Sequence, residues 1–259
     1  MNNNERLLKV ERQGFIRKMV EDEGRASVPE LSTQFAVSEA TIRRDLEELD
    51  GMGWVRRTHG GAVRAERATK EPPMVQRKSE QINEKQDIGR LAADLIQNGQ
   101  TIFLGSGTTV LEVAKKLPKD IQLTAITNSL PVVNHLADYE NIELVIIGGM
   151  LRPNELSMVG HIAEQAISEF RADMVLLGMH AIDAHHGFTN DYLPETMTDR
   201  AILEIAPRVV VVADHTKFGR VSSVFVSAVS VAHTLITDRK TSQDCIQELR
   251  DHGIEVFQA

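Results

Sequence analysis

Apolar positions along the chain change rhythm near residue 100. Before it they recur at helical spacing. Phe15, Ile16, Met19 and Val20 share one face of a helix predicted over 11–23, closed by Gly24. Ser27 and Glu30 stand at capping-box spacing and open a second helix, about two turns long, over 28–35. Ala36-Val37 turns the chain. Ser38 then caps a third helix over 39–50, with Ile42, Leu46 and Leu49 inward and Gly51 and Gly53 ending it. The stretch 54–63 reads as a β-hairpin with glycines at its bend, and Glu71-Pro72-Pro73 forbids a continuing helix.

Further on, Ile88, Leu91, Ala92 and Leu95 mark a helix over 82–97, ended by Asn98-Gly99. Short apolar runs then alternate with helical stretches. Strands are predicted at 101–104, 121–127, 142–147, 173–177, 209–213 and 235–237. Helices are predicted at 110–117, 131–139, 161–170, 195–206 and 242–252. Continuous apolar strands between helices imply a mainly parallel sheet covered on both faces. Such α/β sheets bind ligands beyond the carboxyl ends of their strands. The first three segments are instead two short helices, a turn and a longer helix with a hairpin, a winged helix-turn-helix pattern of α+β type.

Composition changes this picture at one point. The chain has 259 residues and a formal charge of −8. Its single cysteine, Cys245, excludes a disulfide framework and multi-cysteine zinc sites. No apolar run is long enough to span a bilayer, and the start is polar, so the expected place is the cytoplasm with no membrane partner. The total charge argues against nucleic acid until it is divided. Residues 1–70 carry 13 Lys+Arg and 12 Asp+Glu, whereas 71–259 carry 16 and 25. The near-neutral first part can therefore meet DNA while the acidic remainder does something else.

Early positions of the third helix, Ser38, Glu39, Ala40, Thr41, Arg43 and Arg44, can face outward into a major groove. Arg bridges guanine O6 and N7, and Ser or Thr meets several bases. In the hairpin, Arg56, Arg57 and Arg64 can hold phosphates. A structural helical bundle with a solvated arginine face is the alternative. In the second part, Gly105-Ser106-Gly107-Thr108-Thr109 lies between a strand and a helix, where backbone N–H groups cradle an anion. A plain flexible turn reads the same way. Asn128 and Ser129 suit a helix cap or a ligand; Gly148-Gly149-Met150-Leu151-Arg152 offers a guanidinium; Lys217 follows the strongest strand.

The strings Val37-Ser38-Glu39-Ala40-Thr41-Ile42-Arg43-Arg44-Asp45-Leu46 and Arg57-Thr58-His59-Gly60-Gly61-Ala62 resemble the DNA-binding signature of the DeoR family of bacterial transcription regulators. The resemblance runs from about residue 11 to 257. It implies a winged helix-turn-helix over 11–64, including His59 and Gly60, behind an extension over 1–10. A linker over 65–80 then leads to an effector and oligomerisation domain over 81–259. That domain is expected to be similar in fold to ribose-5-phosphate isomerase and glucosamine-6-phosphate deaminase. On the likeness, Ser106, Gly107, Thr108 and Thr109 form the phosphate loop. Asn128, Gly148, Gly149, Asp183, Glu195 and Lys217 match other pocket positions. Gly105 stands where the family usually has Asp, with Asn190 and Tyr192 as candidate substitutes.

The resemblance implies a repressor of a carbohydrate operon. Its partners would be a double-stranded DNA operator, a non-covalent sugar-phosphate effector and further copies of itself, as a dimer or tetramer. No cofactor, metal or catalysis is expected. Two alternatives stand beside it. Asp183, Glu195 and Lys217 suit acid–base turnover in an isomerase or deaminase. His180, His185 and His186 with Asp183 and Asp191 offer metal-ligand types without a tight motif.

Overall fold

The computed structural model describes residues 8–51, 54–64, 66–67 and 71–259. Most of the expected 1–10 extension, Gly53, and 65 and 68–70 of the expected linker lie outside the described residues. The chain divides into two compact units, Met1–Arg67 and Ala68–Ala259.

The first unit runs α1 (Lys9–Glu23), β1 (Arg25–Ser27), α2 (Val28–Phe35), α3 (Glu39–Gly51), β2 (Val55–Thr58), β3 (Gly61–Arg64) and β4 (Glu66–Arg67). Ile16, Val20, Leu31, Ile42, Leu46, Leu49 and Val55 form its core. Phe15 departs from the expected inward face, being 53% exposed. Neighbouring helical residues point about 100° apart, so the pair Ile16 and Val20 takes the core and Phe15 turns out. The capping box forms: Ser27 Oγ accepts the Glu30 N–H at 3.3 Å, and the Glu30 carboxylate accepts the Ser27 N–H at 3.0 Å. Ala36 turns the chain in a left-handed conformation, φ 52°.

Two strands of the first unit, β1 and β4, escaped the sequence reading. β1 pairs antiparallel with β3, which also pairs with β2, so the wing is a three-stranded sheet. Gly61 makes this possible. A Cβ there would lie 2.1 Å from the Ala26 carbonyl oxygen, a distance no side chain tolerates.

The second unit begins with α4 (Met74–Arg77) and α5 (Ile82–Ala93). Strand and helix then alternate through β5 (Thr101–Leu104), α6 (Thr108–Lys116), β6 (Leu123–Thr127), α7 (Leu130–Leu136) and β7 (Ile142–Ile146). A hairpin, β8 (Met150–Arg152) and β9 (Ser157–Val159), precedes α8 (His161–Ser168) and β10 (Met174–Leu177). Next come β11 (Ala181–Asp183), β12 (Gly187–Asn190), α9 (Leu193–Leu203) and β13 (Val209–Val212). The chain closes with β14 (Arg220–Val221), β15 (Val224–Ser227), β16 (Thr234–Thr237), α10 (Gln243–Asp251) and β17 (Glu255–Gln258).

Among the described residues, seven strands form one sheet in the order β17-β16-β13-β10-β5-β6-β7. Every pairing in it is parallel. The apolar strands demand cover on both faces. One core holds Ile88, Val113, Val132 and Ile236; the other holds Phe103, Ile167, Ile202 and Leu249. Met74 is fully buried in the first core, so part of the expected linker is a sensor-side helix. The chain leaves the middle of the sheet at β5, builds β6 and β7 on one side, and returns to β10 on the other. The order therefore reverses between β5 and β10, the place where α/β sheets open a crevice.

Candidate functional site

A narrow cleft opens at that reversal. Ser106, Gly107, Thr108 and Thr109 line it after β5; Gly178, Met179 and His180 after β10; and Ala213 and Lys217 after β13. Arg152, Glu155, Asn190, Glu195 and Asp199 form the opposite wall, and Glu71 and Arg77 close one side.

The loop after β5 is shaped by its glycine. Gly107 takes φ 112° and ψ 157°, a conformation side chains rarely adopt, and serves as the cap of α6 with no side-chain hydrogen bond to the helix end. The first-turn N–H groups of α6 thus have no capping side chain, and the helix dipole places partial positive charge there. Thr108 and Thr109 are buried beside them. Lys217 sits in a single 3-10 turn whose start is fixed by Asp214, which accepts the Thr216 N–H at 3.0 Å. Burial, and then the Arg220 charge, pull the Lys217 ammonium down to about 8.

The opposite wall is acidic but paired. Arg152 bonds Glu195 and reaches Asp191 at 3.2 Å. Its guanidinium lies 4.7 Å from the Tyr192 ring centroid, a cation–π contact. Asn190 donates to Glu195 at 3.0 Å and to Asp199 at 3.4 Å. Burial raises the Asp199 carboxyl to about 7 against the pull of Asn190 and Arg152. His180 is held below its ordinary value by burial, with Asp191 opposing and Arg77 and Arg152 assisting. It therefore presents a neutral ring to the cleft near pH 7.

Of the effector residues expected from sequence, the cleft gathers Ser106, Gly107, Thr108, Thr109, Arg152, Glu195 and Lys217. Gly105, Asn128, Gly148, Gly149 and Asp183 stand outside its lining. Gly105 packs on β10, where a Cβ would lie 2.5 Å from Leu177 Cδ2. An Asp at this place would need Leu177 to move. Asn128 accepts the Met158 N–H on its backbone oxygen at 2.8 Å and donates Nδ2 to the Met158 carbonyl at 3.0 Å. That stitch holds β9, and through the hairpin it places Arg152 and Glu155. Gly148 and Gly149 are exposed at the turn into β8, Gly149 with φ 149°. Asp183 is buried and caps its own hairpin, accepting the backbone N–H groups of His185 and His186 and bonding the His186 ring. Burial opposes its charge, yet those bonds keep its carboxyl below the ordinary range.

Sequence reading missed Glu71, Arg77, Glu155 and Asp199 as lining. Only Asp199 had a usable signal, lying one helical turn after Glu195 on the face toward the cleft. His185 and His186 point to other partners than His180. Among the described residues no group of three or more His, Cys, Asp or Glu is placed to hold a metal ion.

In the first unit, Ser38, Glu39, Ala40, Arg43 and Arg44 are exposed along the start of α3, with Thr41 half-buried. Ser38 Oγ caps the Thr41 N–H at 3.2 Å, and Arg43 pairs with Glu39 at 2.9 Å. Three of the four acids later on this helix have partners within the unit, while Glu47 is exposed, 4.0 Å from Arg57. Asp45 holds Arg12 at 2.6 Å, Asp50 accepts the Arg57 N–H at 3.0 Å, and Glu48 accepts from Gln13 at 2.8 Å. Arg56 and Arg57 are half-buried on the wing, His59 and Gly60 are exposed at its tip, and the Arg64 side chain lies outside the described residues. Trp54 packs under the Arg17 guanidinium, 3.2 Å from the ring centroid.

Comparison with known proteins bears on both units. The DeoR-like helix-turn-helix domain matches residues 12–68, and the DeoR C terminal sensor domain matches residues 80–239. The glycerol-3-phosphate regulon repressor of Escherichia coli strain K12 is 36% identical over 96% of this chain and 99% of its own length. The transcriptional repressor AccR of Agrobacterium fabrum is 37% identical over 89% of this chain and 90% of its own. A ribose 5-phosphate isomerase from Methanocaldococcus jannaschii overlaps 54% of this chain and 55% of its own, with TM-score 0.40 and 18% identity. Among the described residues no helix is long and apolar enough to cross a membrane.

Proposed function

The chain belongs to the DeoR family of DNA-binding transcription regulators, and on that premise we propose that it represses a carbohydrate-metabolism operon until a phosphorylated sugar or polyol fills the cleft. The observation that carries the effector reading is the mixed lining of that cleft. For a phosphate it offers the α6 amides, the Thr108 and Thr109 hydroxyls and Lys217. For hydroxyl groups it offers Glu155, Asn190, Glu195 and Asp199. Because one relative is a glycerol-3-phosphate regulon repressor, glycerol 3-phosphate is the first compound to try here.

On the DNA side, Ser38, Glu39, Ala40, Thr41, Arg43 and Arg44 enter the major groove. Arg56, Arg57, Arg64, His59 and Gly60 meet the backbone. A single reading head covers a short half-site, so a homo-oligomer, dimer or tetramer, supplies the second. Exposed Met150, Leu151, Ile162, Leu193, Met197 and Phe225 on the neighbouring elements β8, α8, α9 and β15 support association. The working division is a reading domain over 11–64, a linker starting at 65 and an effector domain to the end. The protein works beside DNA in the cytoplasm and turns nothing over.

A melting screen of phosphorylated against unphosphorylated sugars and polyols tests this. A ligand at 100 times its Kd adds about 2.7 kcal/mol of stability. Thr108→Arg, which fills the phosphate position, is expected to abolish the shift and leave operator binding intact. A shift equal for phosphorylated and plain compounds, or product formed during incubation, overturns the reading.

A further inference from the structure

Glu71 is an acid inside an anion site. Its Oε2 lies 2.6 Å from Arg77 Nη1, its Oε1 bonds Lys217 Nζ, and the same oxygen lies 3.7 Å from His180 Nδ1. The side chain is only 17% exposed. All three partners line the cleft beside the α6 loop. His180 Nε2 is buried without a hydrogen-bond partner among the described residues.

We propose that the Glu71 carboxylate is an internal occupant of the effector's anion site, which the phosphate group must displace from Lys217. This rests on the phosphorylated-effector reading above. The exchange has a favourable direction. A phosphate monoester carries about −1.5 to −2 charge at pH 7 with three acceptor oxygens, against one unit on a carboxylate. Arg77 is not stranded when Glu71 leaves, because Glu155 bonds it from the other side. Lys217 is the cation handed over.

The residues after Glu71 are anchored independently. The Pro72 carbonyl accepts Arg77 Nε at 2.8 Å, and the Met74 N–H bonds the Asn154 carbonyl at 2.7 Å. Glu71 stands four residues past Arg67, the end of the first unit. Effector arrival therefore alters the restraint on the very chain that leads to the reading head. Affinity for effector and affinity for operator are coupled through this one contact, and the coupling is reciprocal.

The test uses the full chain and inorganic phosphate as probe, with glycerol 3-phosphate as a second. Titration calorimetry compares wild type with Glu71→Gln and with Glu71→Ala, which cannot reach Lys217 at all. Removing a competitor that holds the site about nine-tenths of the time tightens binding about tenfold. Because this contact carries the coupling, effector should no longer release either variant from operator. Equal affinity in wild type and both variants overturns the proposal and leaves the effector reading standing. If none of the three proteins binds either probe, the effector reading fails and the proposal with it. Unaltered melting of a variant without ligand shows that the change is local.

Discussion

Lys217 is the residue whose chemistry decides how the cleft responds to pH. Its ammonium is held at about 8, below its ordinary value, by burial and Arg220. The charge is present below that value and is lost as pH rises through it. A phosphate monoester is nearly all doubly charged by about pH 7.5, its second pKa being near 6. Above that point a falling affinity reports the protein. Affinity for glycerol 3-phosphate is expected to decline between pH 7.5 and 9, and Lys217→Met should be weaker throughout and flat over that range. A calorimetric Kd measured against pH decides it. On the reading head the corresponding residue is Arg43, paired with exposed Glu39. Arg43→Ala should cost about 1–3 kcal/mol on the cognate operator if it reads a base. Equal weakening on unrelated DNA makes it a phosphate contact, and band-shift titrations on both sequences separate the two.

Among the elements, the wing depends on one backbone approach. The Gly61 α-carbon faces the Ala26 carbonyl so closely that Gly61→Ala must part β1 from β3. A loss of about 1–3 kcal/mol of stability is expected, as for other overpacked sites, with operator binding lost alongside. Chemical denaturation of the variant measures it, and an unchanged midpoint contradicts the close approach. This same contact explains why β1 was illegible. Three residues, Arg25–Ser27, carry no alternation long enough to detect, and their strand exists only because β3 lies beside them. β17 was missed for a similar reason: its register against β16 is set by tertiary packing rather than by its own pattern. The six predicted parallel strands were legible because burial on both faces writes an uninterrupted apolar run. The cleft was half legible. Its loop after β5 follows from strand, glycine and helix in sequence. Glu155 and Glu71 reach it through folding of distant segments, and nothing in their local spacing announces it. Asn128 and Asp183 have polar side chains in ligand-like loops, and each makes side-chain bonds to a hairpin outside the cleft lining.

At the scale of the whole molecule, the −8 charge is an average over unlike halves. The head remains usable for DNA because Asp45, Asp50 and Glu48 are spent on Arg12, the Arg57 N–H and Gln13. Its modest surplus of cations implies that phosphate contacts are few and individually visible. Arg57→Ala is expected to reduce the steepness of log affinity against log salt by about one for each reading head engaged. An unchanged slope places the wing away from the backbone.

The two sets of groups in the cleft also differ in how heredity can alter them. The anion-binding set joins main-chain amides and one glycine conformation to the side chains of Thr108, Thr109 and Lys217. The hydroxyl-binding set consists of side chains on β12, α9 and the β8–β9 hairpin, each replaceable alone. A descendant, or a designer of biosensors, can therefore retune which carbon skeleton is heard by rewriting Asn190, Glu195 and Asp199. The requirement for a phosphate, and the switch it throws, would pass on unaltered.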